Sequence, residues 1–356
     1  MMSMQLPIAF DGIIYSMQGQ GGVNVYVNHL LNRLIRDGIG VNLQLYEPVL
    51  AQLPDAYSPV TRSRAPARFA ERYRDCRLPA PAALFHSSYY RIPAPRTTPT
   101  VVTVHDFIYE RYVTGPRRWL HSWQKMQAIR QATAVICISE STRQDLLEYV
   151  GEIPGQTVQV IHNGVGDEYF PMGLAPADGR PYVLFVGMRG GYKNFRAALE
   201  AMTVLPDFDL VCVGGGALKR EELEIVPDAV KQRVRHAGFV TDAELNRLYN
   251  QAACLLYPTA YEGFGIPVLE AMRAGCPVVC GPCKAVLEVG GDALMRLTSI
   301  EREEVARAVA LTMDAAHRKA LVDRGQVRAG GFSWERTYSE TLNVYRAVAT
   351  NMSSLA

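Results

Sequence analysis

The stretch YPTAYEGFGIPVLEAMRAGCPVVCG, Tyr257 to Gly281, gathers the residues best suited to hold an extended polar ligand. A strand-like run ending in Tyr257 passes into a loop that carries Glu262, Gly263 and Gly265. Pro267 is preorganised for a first helical turn, and Gly275 supplies a stop. Glu262 therefore sits in the loop and Glu270 one turn into a helix, so the two acids can touch two parts of one ligand. The glycines let backbone N–H groups come close to that ligand. The helix start at Ile266 and Pro267 presents unpaired N–H groups and a positive dipole end, suited to an anion or to hydroxyl oxygens. The same residues also describe a plain glycine turn whose acids complement a helix dipole.

Other spacings point elsewhere and are weaker. Cys276, Cys280 and Cys283 spell C-x3-C-x2-C, a spacing that suits an iron–sulfur cluster. Val278 and Val279 between the first two thiols read as a buried strand instead. Asp207-Phe208-Asp209 is a D-x-D, a metal-binding pattern, but it stands just before a strand, where turn acids are ordinary. No H-E-x-x-H or other zinc spacing occurs. Gly214, Gly215 and Gly216 follow a strand as in a dinucleotide fingerprint, yet Lys219 fills the position that needs a small residue. No metal site is expected.

The elements that must position these residues alternate. Strand-like runs cover Leu6 to Phe10, Val41 to Tyr46, Thr100 to His105, Thr133 to Ser139 and Val158 to Ile161 in the first half. Tyr182 to Gly187, Asp209 to Gly214, Ala253 to Tyr257 and Pro277 to Cys280 follow in the second. Helical stretches such as Gly22 to Arg36 and Ser141 to Tyr149 lie between them. This alternation predicts parallel βαβ units with helices on both faces. The segment Gly164 to Pro181 is rich in Gly, Pro and Asp, which marks a linker between two doubly wound domains. Ligands of such sheets bind outside the carboxyl ends of the strands.

The chain has 356 residues, 48% hydrophobic and 20% charged, which fits about two globular domains and excludes a disulfide-stapled miniprotein or a disordered tail. Its net charge of +2 gives no reason to expect a nucleic-acid partner. Seven scattered cysteines read as buried reduced thiols. No apolar run reaches the ~18 residues of a membrane span, and the N-terminus lacks a basic leader, so a cytoplasmic protein is expected. Charge is uneven, however. Between Val60 and Arg130 thirteen Lys/Arg face four Asp/Glu, and Trp119 and Trp123 follow Arg117 and Arg118 on a helical stretch. A basic surface with interleaved Trp suits anionic lipid headgroups, and equally a solvated face of snorkelling arginines.

Glu262 and Glu270, in the context E-G-F-G-I-P-V-L-E-A-M-x-x-G-x-P-V-V, have the E-x7-E spacing of retaining glycosyltransferases, and the chain resembles glycosyltransferase family four. The resemblance extends over nearly the whole chain in the right order. GGVNVY (Gly21 to Tyr26) is similar to the family's N-terminal glycine loop, and VTVHDF (Val102 to Phe107) to its strand-end histidine motif. ISEST followed by VIHNGV is similar to the end of its first domain, and FVGMRGGYKNF (Phe185 to Phe195) to its phosphate-binding segment. AGFVTDAELNRLYNQA, with Val240, is similar to the stretch flanking its base pocket, and Phe332 to Tyr345 to its closing helix.

The resemblance implies an α/β fold of two Rossmann-like doubly wound domains facing a cleft, called GT-B. It implies an acceptor domain over 1–165, a linker over 166–180, a nucleotide-sugar domain over 181–332, and a helix over 333–356 packing back on the first domain. It also implies roles. Arg189 and Lys193 would offset the donor diphosphate and the charge growing on the leaving phosphate. Gly21 and Gly22 would present amides to the same diphosphate. His105 would contact the donor sugar, Glu262 its hydroxyls near the reacting carbon, and Glu270 the ribose. The amides of Phe264, Gly265 and Ile266, beside Gly263, would hold hydroxyls or phosphate. Ser139 and Ser141 read as helix caps. The implied reaction moves a hexose or deoxyhexose from a nucleotide sugar, without metal or other cofactor, to a glycan or polyprenyl-linked glycan in bacterial surface-polysaccharide synthesis. GDP-mannose or a GDP-deoxysugar is the favoured donor, with UDP-sugars as the alternative, and the inner membrane is a peripheral partner. Rival readings are an inactive nucleotide-sugar binder and another enzyme of the same fold, such as an epimerase.

Overall fold

The computed structural model describes residues 7–19, 21–51, 53, 60–174 and 179–353. The chain divides into two compact units, one of residues 1–164 with 334–356 and one of residues 165–333. Leu6, at the start of the first expected strand, lies outside the described residues, as do 175–178 of the expected linker.

The first unit is built on β1 (Ile8–Asp11), β2 (Val41–Glu47), β3 (Val60–Pro66), β5 (Leu84–Ser87), β7 (Thr100–Val104), β8 (Ala134–Cys137) and β9 (Thr157–Val160). Two short strands, β4 (Cys76–Arg77) and β6 (Pro93–Ala94), form a separate ribbon. The second unit holds β10 (Tyr182–Val186), β11 (Asp209–Val213), β12 (Val234–His236), β13 (Cys254–Tyr257), β14 (Val278–Cys280) and β15 (Leu294–Arg296). The sheets run β3-β2-β1-β5-β7-β8-β9 and β12-β11-β10-β13-β14-β15, with every recorded pairing parallel. Both follow the doubly wound order in which the chain starts at the centre, works to one edge, then returns and works to the other. Each sheet thus has a switch point, between β1 and β5 in the first and between β10 and β13 in the second.

The central strands are continuous apolar runs because helices cover both faces. Tyr182–Val186 and Thr100–Val104 are buried at every residue. Pattern reading missed β3, β5, β12 and β15 of the two main sheets, and the ribbon of β4 and β6. β3 is an edge strand (VTRSRAP) whose arginines interrupt any apolar run, a common guard against edge-to-edge pairing. β12 and β15 are three-residue edge strands ending in His236 and Arg296. β5 is short and carries His86 and Ser87, which are buried only because the sheet closes over them.

The unit boundary differs from the expected linker. Val165–Met172 docks on the helix Asp242–Gln251, where Phe170 N donates to Asn246 Oδ1 at 3.1 Å and Met172 N to Asn250 Oδ1 at 2.7 Å. Gly and Pro content marked a break in regular structure but not which neighbour would satisfy the backbone. The helix Trp334–Ser353 joins the first unit through polar and aromatic contacts with the helix Gly22–Arg36. Trp334 stacks on His29 at 4.3 Å, Glu335 accepts from Arg36 at 2.8 and 2.9 Å, and Tyr338 donates to Asp37 at 2.7 Å.

A buried ion cluster braces the first switch point. Arg91, fully buried, donates to Asp11 Oδ1 at 3.0 Å and to Glu71 Oε1 at 2.6 Å, with its guanidinium over the Tyr46 ring. Asp11 ends β1 and Arg91 follows β5, so the pair ties together the loops that leave the sheet in opposite directions. Arg91→Ala would strand the buried Asp11 carboxylate while Glu71 keeps Arg68, and is expected to cost about 3–5 kcal/mol in chemical denaturation. A loss below 1 kcal/mol would show that the cluster does not brace the unit.

Candidate functional site

In the second unit the loops after β10 and β13 meet at the switch point. Their hydrogen bonds stitch them together: Ala260 N donates to Tyr192 O at 2.8 Å, Thr259 Oγ1 to the same oxygen at 3.3 Å, and Asn194 Nδ2 to Pro258 O at 2.9 Å. Asn194 takes a left-handed conformation (φ 52°), which Asn tolerates better than most residues. The stitch brings Lys193 onto Glu262. Lys193 Nζ forms an ion pair with Glu262 Oε1, and Tyr257 Oη donates to the same oxygen at 2.8 Å. Lys193 Nζ also lies 3.3 Å from Tyr257 Oη and over the Tyr257 ring. The side chains of Lys193 and Glu262 are 11% and 12% exposed, so the pair is only thinly screened by water. Burial beside the Glu262 carboxylate raises the Tyr257 hydroxyl well above its ordinary value, so it stays a donor.

Arg189 is placed differently from what the phosphate-binding resemblance implies. Its side chain is 3% exposed and turned into the glycine loop after β11. It donates to Gly214 O at 2.9 Å, Gly216 O at 2.9 Å and Ala217 O at 2.9 Å, and through Nε to Glu222 at 2.9 Å. Gly214, Gly215 and Gly216 all have positive φ near 75°, between 72° and 80°, which is why a run of three glycines is needed there. The guanidinium fixes carbonyls that this conformation turns inward. The triple glycine is thus a caged turn.

The helix Ile266–Arg273 starts from Gly265, which has φ 105°, and Pro267 lies in its first turn. A Cβ on Gly265 would also meet Val286 at 3.3 Å, so both backbone and space select glycine. Gly263 and Phe264 are buried behind the loop, with Phe264 edge-on to Phe332. Glu270 lies on the helix beyond. Tyr249 donates to its Oε2 at 2.9 Å, and Tyr169 is a second partner. Burial, with Asp242 and Glu168 adding repulsion, pushes its carboxyl up to about 7. Val240 is half-buried in the loop after the edge strand β12, next to Thr241, which caps the helix Asp242–Gln251. No contact links Val240 to the Lys193–Glu262 cluster among the described residues.

In the first unit, Gly21 caps the helix Gly22–Arg36 with extended backbone. The turn is held by Gln18 and Asn24, whose side-chain amides meet at 2.7 Å. A Cβ on Gly21 would strike the Gln18 side chain, whereas Gly22 opens onto free space. His105 follows β7, edge-on to Tyr26 at 5.2 Å. Burial, with the charge of Lys125 adding, lowers its pKa to about 4, which makes it a neutral hydrogen-bonding group at pH 7. Sequence reading missed what holds it. Lys125, fully buried, donates to Asp106 O at 2.9 Å and Glu110 Oε2 at 2.7 Å. His86 bridges Thr103 Oγ1 at 2.9 Å and Tyr345 Oη at 2.5 Å. A lysine inside a helix that reads as solvated gives no sequence signal, because only the tertiary fold buries it. Glu222 and Tyr257 were missed for the same reason.

The weaker patterns resolve physically. All seven cysteines are buried free thiols, and burial pushes Cys276 and Cys280 up to about 12 and Cys283 to about 11. Such thiols are disfavoured as thiolate ligands. Asp209 opens β11 at the amino edge of the sheet, away from the strand ends that carry Lys193 and Glu262, and faces Arg180 at 3.6 Å. Among the described residues no cluster of His, Cys, Asp and Glu is set to hold a metal ion. Ser139, not Ser141, caps the helix Glu140–Tyr149, accepting from Thr142 N at 2.9 Å.

Comparison with known proteins identifies the family and the fold. Residues 20–169 match the family described as Glycosyltransferase Family 4, and residues 171–325 match Glycosyl transferases group 1. The O-antigen chain mannosyltransferase B of Escherichia coli is 26% identical over 285 residues, covering 74% of either chain. The sucrose-phosphate synthase of Thermosynechococcus elongatus superposes with a TM-score of 0.79 at 20% identity, over 98% of this chain and 100% of that one. The Anabaena protein HepE, solved in complex with UDP and glucose, gives a TM-score of 0.69 at 16% identity, over 96% and 99%. The structural likenesses show the GT-B fold.

The raised Glu270 carboxyl has a measurable consequence. The folded protein holds that proton up to about 7, whereas an ordinary glutamate, as in the unfolded chain, releases it near 4.5. Stability is therefore expected to fall as pH rises through that window, and Glu270→Gln to remove this part of the slope. Denaturation midpoints at several pH values, wild type against variant, read it directly. Identical slopes would mean that Glu270 ionises normally.

Proposed function

Because the chain belongs to the family-four glycosyltransferases, we propose that it is a retaining hexosyltransferase of bacterial surface-polysaccharide synthesis, working without a metal ion. The donor in this reading is GDP-mannose or a GDP-deoxysugar, and the acceptor is a glycan or a polyprenyl-linked glycan of O-antigen, capsule or exopolysaccharide. The likeness to an O-antigen mannosyltransferase supports the sugar and the setting. The complex of HepE with UDP keeps a UDP-sugar as the alternative.

The observation that carries the reading is the cluster of Lys193, Glu262 and Tyr257 at the switch point of a nucleotide-binding sheet, with Glu270 on the adjoining helix. Breaking the bond between sugar and diphosphate leaves negative charge on phosphate and positive charge on the anomeric carbon. Lys193 would meet the first, helped by the amides of Phe264, Gly265 and Ile266 at the helix start. Glu262 would exchange its bond to Lys193 for sugar hydroxyls near the reacting carbon, where its charge favours oxocarbenium character. Glu270 would accept from ribose hydroxyls, and Val240 would lie against the base. In the first unit Gly21 and Gly22 would present amides to the diphosphate. Neutral His105 would hydrogen-bond the donor sugar, leaving the departing phosphate to take the acceptor proton. Arg189 would keep the caged glycine loop in shape and add positive charge behind the phosphates.

The exposed face of the helix Pro116–Gln131 suits a peripheral contact with the cytoplasmic face of the inner membrane. Trp119 is 69% exposed beside Arg117 and Arg118, a pairing of aromatic and cationic groups that lipid headgroups accept. No helix of the described residues is long and apolar enough to cross a membrane.

Calorimetry with GDP and with UDP, both in EDTA, is expected to show binding of one nucleotide, GDP in this reading. Binding of neither would overturn the metal-independent pocket and favour an inactive protein. Glu262→Ala is expected to lower turnover about 100-fold or more with nucleotide affinity little changed, since its contacts strengthen in the transition state. Near-normal turnover would remove that role. Arg117→Glu with Arg118→Glu is expected to release the protein from anionic vesicles, and unchanged sedimentation would return this face to a solvated one.

A further inference from the structure

The flank of the first unit carries a second polar recess. The helix Pro116–Gln131 follows β7 and returns to the start of β8, so it runs from the carboxyl edge of the sheet toward the amino edge. Trp123, Gln127 and Gln131 recur on one face of its later turns. At ~1.5 Å per residue, Gln131 lies on the order of 20 Å along the helix from its start. These side chains, with Arg74 and Asp75 before β4 and Arg96 after β6, line a cavity of about 120 Å³. Tyr90 and Arg91, which follow β5, close its inner end, with Tyr90 hydrogen-bonded to the His105 backbone, and Gln127 and Gln131 carry it along the flank from there.

The lining is chemically specific. Trp123 is 49% exposed and offers an open ring face. Gln131 Nε2 donates to Gln127 Oε1 at 3.3 Å, which leaves amide donors and acceptors on the same face. Gln124, 6% exposed, donates to Arg72 O at 2.6 Å, while its Oε1 is buried with no hydrogen-bond partner. That oxygen is closed to solvent, so Gln124 forms part of the wall, and the groups open to a ligand are those of Trp123, Gln127 and Gln131. On the rim Arg96 donates to Asp75 Oδ2 at 3.1 and 3.0 Å, and exposed Arg74 donates through Nε to the Phe69 carbonyl at 3.0 Å. Arg91 at the wall is spent on Asp11 and Glu71.

A bare anion could pair with Arg74 but would face the Asp75 carboxylate and leave the Trp123 ring uncovered. An apolar ligand would leave Gln127 and Gln131 with only each other as partners. A saccharide meets every group, since its hydroxyls both donate and accept and its C–H face stacks on an aromatic ring. A cavity of 120 Å³ holds roughly four waters at ~30 Å³ each. That is enough to seat one face of a single sugar unit of a longer chain.

We propose that this recess is a glycan-binding subsite that grips the acceptor chain at a distance from the reacting end. It rests on the reading of the protein as a glycan-extending transferase. Its energetic use is to raise the local concentration of the acceptor end by holding another part of the same chain.

The test uses the full-length protein with mannotriose and maltotriose as probes, followed by calorimetry or ligand-observed NMR. Mannotriose is expected to bind, and Trp123→Ala and Gln127→Ala each to weaken that binding about tenfold. Both substitutions put a good helix former on an exposed helix face, so folding should persist. Nucleotide binding should not change in either variant. The proposal is overturned if neither trisaccharide binds, if both variants bind like wild type, or if inorganic phosphate displaces the sugar. It is equally overturned if what Trp123→Ala loses is binding to anionic vesicles rather than to sugar. Failure of both GDP and UDP to bind would instead sink the transferase reading, and the sugar titration would still report on the recess by itself.

Discussion

The parallel pairing of β10 with β13 is the constraint on which the site depends. At that junction the chain after β10 turns to one side of the sheet and the chain after β13 to the other, because right-handed crossovers carry their helices to opposite faces. The two loops diverge, and the space between them is where side chains from distant parts of the sequence can converge. Tyr192 O and Asn194 close the lower part of that space with hydrogen bonds to the β13 loop. Lys193 and Glu262, sixty-nine residues apart, are thereby held against each other with Tyr257 between.

The positions around this cluster divide the electrostatic work. Arg189 is buried and committed to four neighbouring carbonyls and to Glu222, so its contribution is shape with a background of charge. Lys193 is paired with a single carboxylate that a ligand can compete for. Glu270 sits among tyrosines and acids that keep its proton near neutrality. A hydroxyl-bearing ligand that donates to the carboxylate would shift that balance toward the ionised form. The first unit follows the same scheme with different groups. There Arg91 spans the junction of β1 and β5, and buried Lys125 holds the Asp106 backbone while keeping His105 neutral.

The C-terminal helix buries an apolar stripe of Trp334, Tyr338, Leu342, Tyr345 and Val348, and specific polar contacts fix it to the first unit. Glu335 takes two arginines, Tyr338 reaches Asp37, and Tyr345 reaches His86 under the sheet. Tyr345 and Tyr26 therefore share one buried polar layer with Thr103 and His86, next to the histidine after β7. A chain segment far away in sequence thus helps to set the environment of His105.

Sequence alone determined the fold class and the local frame of the candidate site. Central strands of a parallel sheet are covered on both faces, so their apolar runs are legible without partners. The glycines at 263 and 265, Pro267 and the two acids encode a loop and a helix start locally, since φ restrictions and helix-end hydrogen bonding act over a few residues. Edge strands such as β3, and β5 with its buried His86, escaped because their burial depends on neighbours that sequence distance hides. Tertiary structure alone decided that Arg189 turns into the glycine loop while Lys193 faces Glu262. It also decided that Lys125 is buried, that Ser139 is the cap, and that three glutamines and a tryptophan on one helix line a recess. A side chain's type fixes what bonds it can make, but only the packed fold decides which partners are near and how much water separates them.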